Sequence, residues 1–228
     1  MWKKTLAAAC AAMMAAASHA ANTQVTVDAS QTGWYTASGL HESYNNNTLT
    51  GVFFEEYRSF FEWTLPSIGG HVTGAHLEMA LPYSLGSDQG TQTGAMFDIA
   101  AANLPFLGAD NGAGHGTSIF ADLGTGTAYG NFTIRESDDL TIFHIDLDSA
   151  AVQAIDAANG GTFALGMRNT TPGITDNYFL FSSMSQAGRQ TLVLDVTPVP
   201  EASPFATLAL GVAALAVVAR RRQGRKSA

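Results

Sequence analysis

Apolar and polar residues alternate in many short stretches of this chain. In residues 24–28, Val25 and Val27 fall on one face, and residues 56–65 alternate in the same way. A period of two residues is typical of a β-strand with one buried face. Glycine- and asparagine-rich turns separate these stretches. We therefore predict strands at residues 24–28, 56–65, 72–81, 95–100, 118–123, 129–134, 140–147, 162–168, 178–181 and 190–196.

One segment departs from this alternation. Residues 149–159 are rich in alanine, with Val152 and Ile155 as the apolar positions, and two glycines follow. Asp148 or Ser149 is a suitable N-cap, and the glycines end the segment, so a short helix is predicted here. Many short strands with one helix indicate an all-β fold: an antiparallel β-sandwich or jelly roll, with the helix covering one end.

The N-terminal residues 1–20 have the pattern of a secretory signal peptide. Two lysines precede an apolar centre, and the segment ends in the small-x-small pattern of residues 18–20. Cleavage is expected after Ala20, with Ala21 as the near alternative. Lipidation of Cys10 is another reading, although Ala7 stands where leucine or isoleucine is wanted. Cys10 is the only cysteine, so the mature chain would hold neither a disulfide nor a thiol nucleophile.

The C-terminal residues 199–228 combine three features in a fixed order. Val199, Pro200, Glu201 and Ala202 come first, an apolar segment at 204–219 follows, and a cationic cluster ends the chain. At about 1.5 Å per residue, an apolar helix here is short for a hydrocarbon core of about 30 Å. The cations indicate a membrane helix with its C-terminus in the cytoplasm. They are Arg220, Arg221, Arg222, Arg225 and Lys226.

This tail resembles the PEP-CTERM sorting signal of Gram-negative bacteria. The resemblance implies recognition by an exosortase, a membrane protease that is thought to cleave near Pro200 and Glu201. Ala202 stands where the usual motif has a second proline. The resemblance also implies passage through the inner membrane, transient anchoring by the helix at 204–219, and release to the cell surface or the extracellular space.

Charge is distributed unevenly between these segments. The body at residues 22–197 has four arginines and no lysine against eighteen acidic residues, which leaves a net charge of −14, compared with −8 for the whole chain. A body so acidic is not expected to bind nucleic acid through Coulomb attraction. The predicted organisation is therefore a signal peptide at 1–20, an exported domain at 22–197 and a sorting tail at 199–228.

The body is also similar to secreted jelly-roll domains carried by PEP-CTERM proteins. Residues 58–63 and 72–78 are similar to the first strand pair of these domains, and later matching stretches lie at 160–166, 178–181 and 189–194. Such domains resemble carbohydrate-binding sandwiches in build. Because the shared positions are mostly core positions, the resemblance bears on the fold rather than on the function.

Two groups of polar residues invite a metal hypothesis. His144, Asp146 and Asp148 alternate on one face of a predicted strand, and His76 and Glu78 form a similar pair. Imidazole and carboxylate side chains can bind a hard or borderline cation. A solvated sheet face gives the same alternation, so no metal or cofactor is assigned. Residues 110–116 could wrap Ca²⁺, although a turn fits the sequence better.

Aromatic residues provide the second candidate site. Trp34 and Tyr35 lie beside Gly33 among polar residues, where their rings either stack on a sugar or pack in the core. Phe61 and Trp63 lie within a clean strand pattern, which favours the core.

No catalytic motif for a nucleophile, a metalloprotease or a phosphate loop occurs. We therefore expect a non-catalytic surface or extracellular protein, and the resemblance to PEP-CTERM proteins implies that it is associated with exopolysaccharide, biofilm or floc. The alternatives are a carbohydrate-binding module for matrix polysaccharide, a glycan-active enzyme and an ice-binding protein. Ice binding rests on the threonine pairs at 91–93 and 125–127.

Overall fold

The computed structural model describes residues 22–80, 83–86, 90–181 and 190–199. Residues Asn22–Thr197 form one compact unit. The α-helices in this part of the chain are α1 (Gly116–Asp122) and α2 (Ser149–Ala157), and short 3-10 helices lie at Leu104–Phe106, Asp110–Gly114 and Glu136–Asp138. The strands are β1 (Thr23–Asp28), β2 (Gln31–Thr36), β3 (Thr48–Phe53), β4 (Glu55–Thr64), β5 (Gly70–Ala80), β6 (Tyr83–Gly86), β7 (Gln92–Asp98), β8 (Ala128–Ile134), β9 (Ile142–Asp146), β10 (Thr162–Asn169), β11 (Asn177–Phe181) and β12 (Thr191–Pro198).

Over the described ranges the strands form two sheets. The smaller sheet has the order β1-β12-β5-β9, and the larger has the order β6-β11-β3-β4-β10-β7-β8, with β2 paired to β4. Wherever the register is described, neighbouring strands are antiparallel. Leu77 of β5 lies opposite Ile145 of β9 in the smaller sheet, and Phe61 of β4 lies opposite Leu165 of β10 in the larger.

The main core lies between the two sheets. Leu192 and Leu194 of the smaller sheet and Phe61 and Trp63 of the larger belong to one buried cluster. Burial of each such side chain stabilises the fold by about 1.5–3 kcal/mol. The prediction that Phe61 and Trp63 are core residues is confirmed, as is the β-sandwich-like, all-β character of the body.

A second core covers the opposite face of the larger sheet. Phe60 alternates with Phe61 along β4 and therefore points away from the main core, where it packs with Tyr35. The segment between β7 and β8 supplies the covering side chains. They are Leu107, Ile119, Phe120 and Leu123.

The prediction of a strand at residues 118–123 is wrong, because α1 occupies this segment. Gly116, Ile119, Phe120 and Leu123 are the buried positions, and their spacing of three and four residues is the period of a helix. The stripe packs on the second core rather than adding a strand to a sheet.

The helix predicted at 149–159 is confirmed as α2. The Asp148 carboxylate accepts hydrogen bonds from the backbone N–H groups of Ala150 and Ala151, at 2.9 and 3.0 Å. Ala151 and Ile155 are buried in the main core.

The strands β2, β3 and β6 were not predicted from the sequence. Among the described residues, no helix is long and apolar enough to cross a membrane.

Candidate functional site

The outer face of the smaller sheet brings together two histidines and a glutamate. Leu77 and Met79 of β5 are fully buried, so His76 and Glu78, which alternate with them, lie on the opposite face. His144 of β9 lies directly opposite Glu78. Glu78 Oε1 is 3.8 Å from His76 Nε2 and 4.0 Å from His144 Nδ1, and the imidazole centroids are 5.7 Å apart.

The sequence offered His144, Asp146 and Asp148 as candidate ligands without assigning a metal, and the structure gives these residues different surroundings. The Asp148 carboxylate caps α2 by accepting hydrogen bonds from two backbone N–H groups, so it is not part of the group around His144. Asp146 lies opposite His76 and is exposed. The ligand atoms that converge within 4.8 Å of one another belong to His76, Glu78 and His144.

Trp34 and Tyr35 have different environments. Tyr35 is fully buried against Phe60, and its hydroxyl donates to the carbonyl of Leu107 at 2.8 Å. Of the two alternatives left open for Tyr35, the structure shows core packing, because its ring is enclosed in the second core and is closed to a glycan. Trp34 is half-buried; its indole N–H donates to Asn47 Oδ1 at 3.0 Å, and its ring meets Tyr57 edge-on.

A different group of aromatic side chains is exposed. Phe53 and Phe54 lie at the β3–β4 hairpin, with ring centroids 4.4 Å apart, and Phe53 is 5.2 Å from Tyr178 of β11. Phe54 is 93 % exposed and Phe53 is 37 % exposed. We call Phe53, Phe54 and Tyr178 the aromatic tip. Sequence reasoning missed it, although two adjacent phenylalanines ahead of two glutamates were a visible signal.

His41 lies in the second core close to the buried Tyr35. Its Nδ1–H donates to the carbonyl of Trp34 at 2.9 Å, and its ring stacks on Tyr35 with a centroid separation of 4.6 Å. Burial lowers the pKa of His41, although the Trp34 carbonyl, Asp110 and Glu42 oppose this effect. Burial likewise raises the pKa of Tyr35. Both rings are therefore neutral near pH 7.

Residues Asp110–Gly114 form a short 3-10 helical turn rather than an open cation loop, and Gly116 begins α1. The Asp110 carboxylate accepts the N–H of Ser43 at 2.7 Å, and Asn111 Oδ1 accepts the N–H of His41 at 3.1 Å. The hydrogen bond from Ser43 lowers the pKa of Asp110. A shallow cavity of about 370 Å³ lies beside this turn, and its described lining holds no ionisable side chain. The lining residues are 38–40, Asn111, Gly114, Gly116 and Thr117.

The predicted sorting and cleavage residues lie outside the described residues, with one exception. Val199 is described; it follows β12 and is exposed. The cleavage positions Ala20 and Ala21, the apolar segment at 204–219, and the remaining motif and cationic residues are not described. Those remaining residues are Pro200, Glu201, Ala202, Arg220, Arg221, Arg222, Arg225 and Lys226.

No protein-family model matches the chain, and no curated protein sequence matches it.

Proposed function

We propose that this protein is an exported, non-catalytic surface or extracellular protein that an exosortase-type system sorts. The order of the segments carries the proposal: a signal-peptide pattern, one compact unit at Asn22–Thr197, and a Pro-Glu tail with an apolar segment and a cationic end. In this proposal the body is a jelly roll, and it accompanies exopolysaccharide in a biofilm or floc. Its partners are the exosortase before processing and extracellular polysaccharide afterwards.

The route is proposed from the same segments. The chain crosses the inner membrane, the helix at 204–219 anchors it transiently, and cleavage near Pro200 and Glu201 frees the body. A helix of about 24 Å is short for a permanent anchor, but it suffices for a segment that is removed. After processing, a body of net charge −14 has no Coulomb attraction for an anionic bilayer.

Processing can be tested in a host that carries an exosortase. We expect Glu201→Gln and deletion of residues 199–228 to change the amount of protein on the cell surface, with Thr197→Ala as a matched control. Mass spectrometry of the wild-type protein should find a C-terminus near Pro200 and a new N-terminus after Ala20 or Ala21. Unaltered surface levels in both variants, together with an uncleaved C-terminus in the wild-type protein, would contradict the sorting proposal.

A carbohydrate-binding module is the second candidate function, and the aromatic tip favours it. The apolar faces of aromatic rings stack on the C–H groups of sugars, and this requires rings that are open to solvent. Phe54 meets that requirement and Phe53 meets it in part, whereas Tyr35 does not. Trp34 remains a secondary contact because its ring is half-buried.

Binding to matrix polysaccharide can be measured by affinity electrophoresis of the body through gels that contain the host polymer. We expect Phe54→Ala to raise the dissociation constant measured by retardation about fivefold, since stacking of one ring contributes on the order of 1 kcal/mol. Tyr44→Ala removes another highly exposed ring that is not part of the aromatic tip and should have no effect. Equal retardation of Phe54→Ala and wild type would remove the tip from the proposal.

A glycan-active enzyme and an ice-binding protein remain lesser candidates. The threonine pairs behind the ice hypothesis already make internal contacts: the Thr125 hydroxyl donates to the Ala121 carbonyl, and the Thr93 hydroxyl contacts Thr170. These contacts do not favour a flat, regular array of free hydroxyls.

A further inference from the structure

The site for this inference lies on paired strands of the smaller sheet. In β5, Leu77 and Met79 are fully buried, and in β9 Ile145 is 1 % exposed. These anchors fix the backbone on either side of His76, Glu78 and His144. A site built on strands whose alternate residues are locked in a core holds its geometry better than a site on a loop.

The separations between the three side chains fit a shared ion better than they fit direct contacts. Glu78 Oε1 lies 3.8 Å from His76 Nε2 and 4.0 Å from His144 Nδ1, which is too long for a hydrogen bond. In a tetrahedral zinc site with bonds of about 2.0–2.1 Å, ligand atoms stand about 3.3 Å apart. All three ligand atoms lie within 4.8 Å of one another, so side-chain rotations that move an atom by up to about 1.5 Å bring them to this spacing, and the partly exposed side chains have room to rotate.

We infer that His76, Glu78 and His144 together bind a divalent transition-metal ion. Two imidazoles with one carboxylate suit Zn²⁺, Ni²⁺ or Cu²⁺, whereas Ca²⁺ and Mg²⁺ prefer all-oxygen sites. Three protein ligands leave a coordination position open to water or to an external ligand. The exposed carboxylate of Asp146, opposite His76, adds negative charge beside the site.

The site is open to ions from solution. The side chains of His76, Glu78 and His144 are 24 %, 38 % and 56 % exposed. The inference stands independently of the sorting and carbohydrate proposals, because it uses neither the tail nor the aromatic tip.

Zn²⁺ titration of the full chain tests the inference. The protein is purified in mild detergent without a polyhistidine tag, treated with a chelator and titrated in a calorimeter. We expect one Zn²⁺ per chain, and at least tenfold weaker binding in His76→Ala and in His144→Ala. Glu78→Gln keeps the size of the side chain and should also weaken binding. Co²⁺ in place of Zn²⁺ should give the visible absorption of a low-coordinate site, which the three variants lose.

His71→Ala is the matched control. His71 is a histidine paired with one carboxylate, that of Asp156 at 3.2 Å, and its side chain is 74 % exposed. The His71→Ala variant should bind Zn²⁺ with the affinity of the wild type. In the wild type, a large excess of Ca²⁺ should not displace Zn²⁺. Circular dichroism checks that each variant is folded. Wild-type affinity in His76→Ala and His144→Ala, an equal loss in His71→Ala, or displacement by Ca²⁺ would each overturn the inference.

Discussion

Phe54 combines an exposed ring with a backbone conformation that phenylalanine rarely adopts. Its φ is +63°, in the left-handed region that costs an L-residue roughly 1–2 kcal/mol. The neighbouring Gly51 has φ +130°, and a side chain there would collide with Asn177 and Tyr178 of β11. The hairpin therefore depends on glycine at position 51 but tolerates strain at position 54. Strain of this kind is often found where a side chain serves function.

The strain at position 54 predicts a difference between two truncations. Phe54→Gly and Phe54→Ala both remove the ring, but only glycine adopts a positive φ without strain. We expect Phe54→Gly to be more stable than Phe54→Ala by about 1 kcal/mol, as measured by urea unfolding. If Phe54 binds polysaccharide, both variants should lose binding equally. Equal stabilities would mean that residue 54 does not hold the left-handed conformation in solution.

His41 predicts a pH dependence of stability. Because burial lowers its pKa, the unfolded chain binds a proton below about pH 6.5 that the folded chain does not. Stability from the neutral ring is therefore present above about pH 6.5 and falls as the pH decreases from there toward the lowered pKa, by up to about 1.4 kcal/mol per pH unit.

Urea unfolding at several pH values from about 7.5 to about 5 checks this expectation. His41→Gln should flatten the dependence, whereas His71→Gln, which alters an exposed histidine, should leave it as in the wild type. Asp110 and Asp156 have lowered pKa values, so they contribute to acid sensitivity mainly below about pH 4. A His41→Gln profile parallel to that of the wild type would show that His41 does not titrate differently on folding.

The candidate site shows what a sequence reveals at the residue scale. The alternation along residues 76–78 and 144–148 was readable, and it placed histidines and acids on outward faces. The register that sets Glu78 opposite His144 was not readable, because pairing between β5 and β9 spans more than sixty residues of sequence. The sequence could not separate Asp148 from this group either, since an aspartate can end a strand pattern and also cap the helix that follows.

At the scale of elements, Arg58 attaches α1 to the larger sheet. Its guanidinium donates to the carbonyls of Phe120 and Ala121 at 2.9 and 3.1 Å, at the C-terminal end of the helix, and lies 4.1 Å from the centre of the Phe120 ring. Arg58 Nε also donates to Glu56 at 2.9 Å. A cation at the C-terminal end of a helix interacts favourably with the helix dipole, and the planar guanidinium donates to several acceptors at once.

Removal of this guanidinium should loosen α1. We expect Arg58→Met to destabilise the body by about 2–4 kcal/mol, because the carbonyls of Phe120 and Ala121 lose their donor and the Glu56 carboxylate loses one of its two cationic neighbours. Arg58→Lys should recover little, since an ammonium lacks the planar fork. Hydrogen exchange should show the largest loss of protection in residues 116–123. The measurement is chemical unfolding combined with hydrogen exchange.

Arg168→Met is the control for the Arg58 variants. The Arg168 side chain is 42 % exposed and lies 3.3 Å from the same Glu56 carboxylate, so its loss should cost less than about 1 kcal/mol. Comparable losses in Arg58→Met and Arg168→Met would contradict the special role of Arg58.

The elements were partly predictable, and the misses have physical reasons. The β5, β8, β10 and β12 patterns were clear because each strand has one face in the main core. Strand β2 was missed because its two faces are largely buried in different environments, which erases the alternation. Helix α1 was taken for a strand because Ile119 and Phe120 favour strands, although the helical spacing to Gly116 and Leu123 was present.

At the scale of the whole molecule, the two cores share one sheet. Trp63 lies in the main core, and Tyr35 lies in the second core. Since β4 contributes Phe61 to one core and Phe60 to the other, we expect the cores to unfold together. A fragment of residues 22–197 should therefore show coincident transitions by tryptophan fluorescence and by circular dichroism. Separate transitions would mean that the segment between β7 and β8 unfolds independently.

The net charge of −14 on this fragment predicts how its stability responds to salt. Repulsion among eighteen acids, only partly offset by four arginines, destabilises the compact state, and salt screens this repulsion. Raising NaCl from about 0.01 M to about 0.15 M shortens the Debye length from about 30 Å to about 8 Å, so the free energy of unfolding should rise. Urea unfolding measures this change in the free energy of unfolding, and a chelator in the buffer prevents metal binding from contributing to it. Choline chloride should raise the free energy of unfolding as NaCl does, because screening depends on ionic strength. An increase with NaCl alone would instead indicate a specific site for Na⁺. No increase in either salt would show that the charges are too far apart for their repulsion to affect stability.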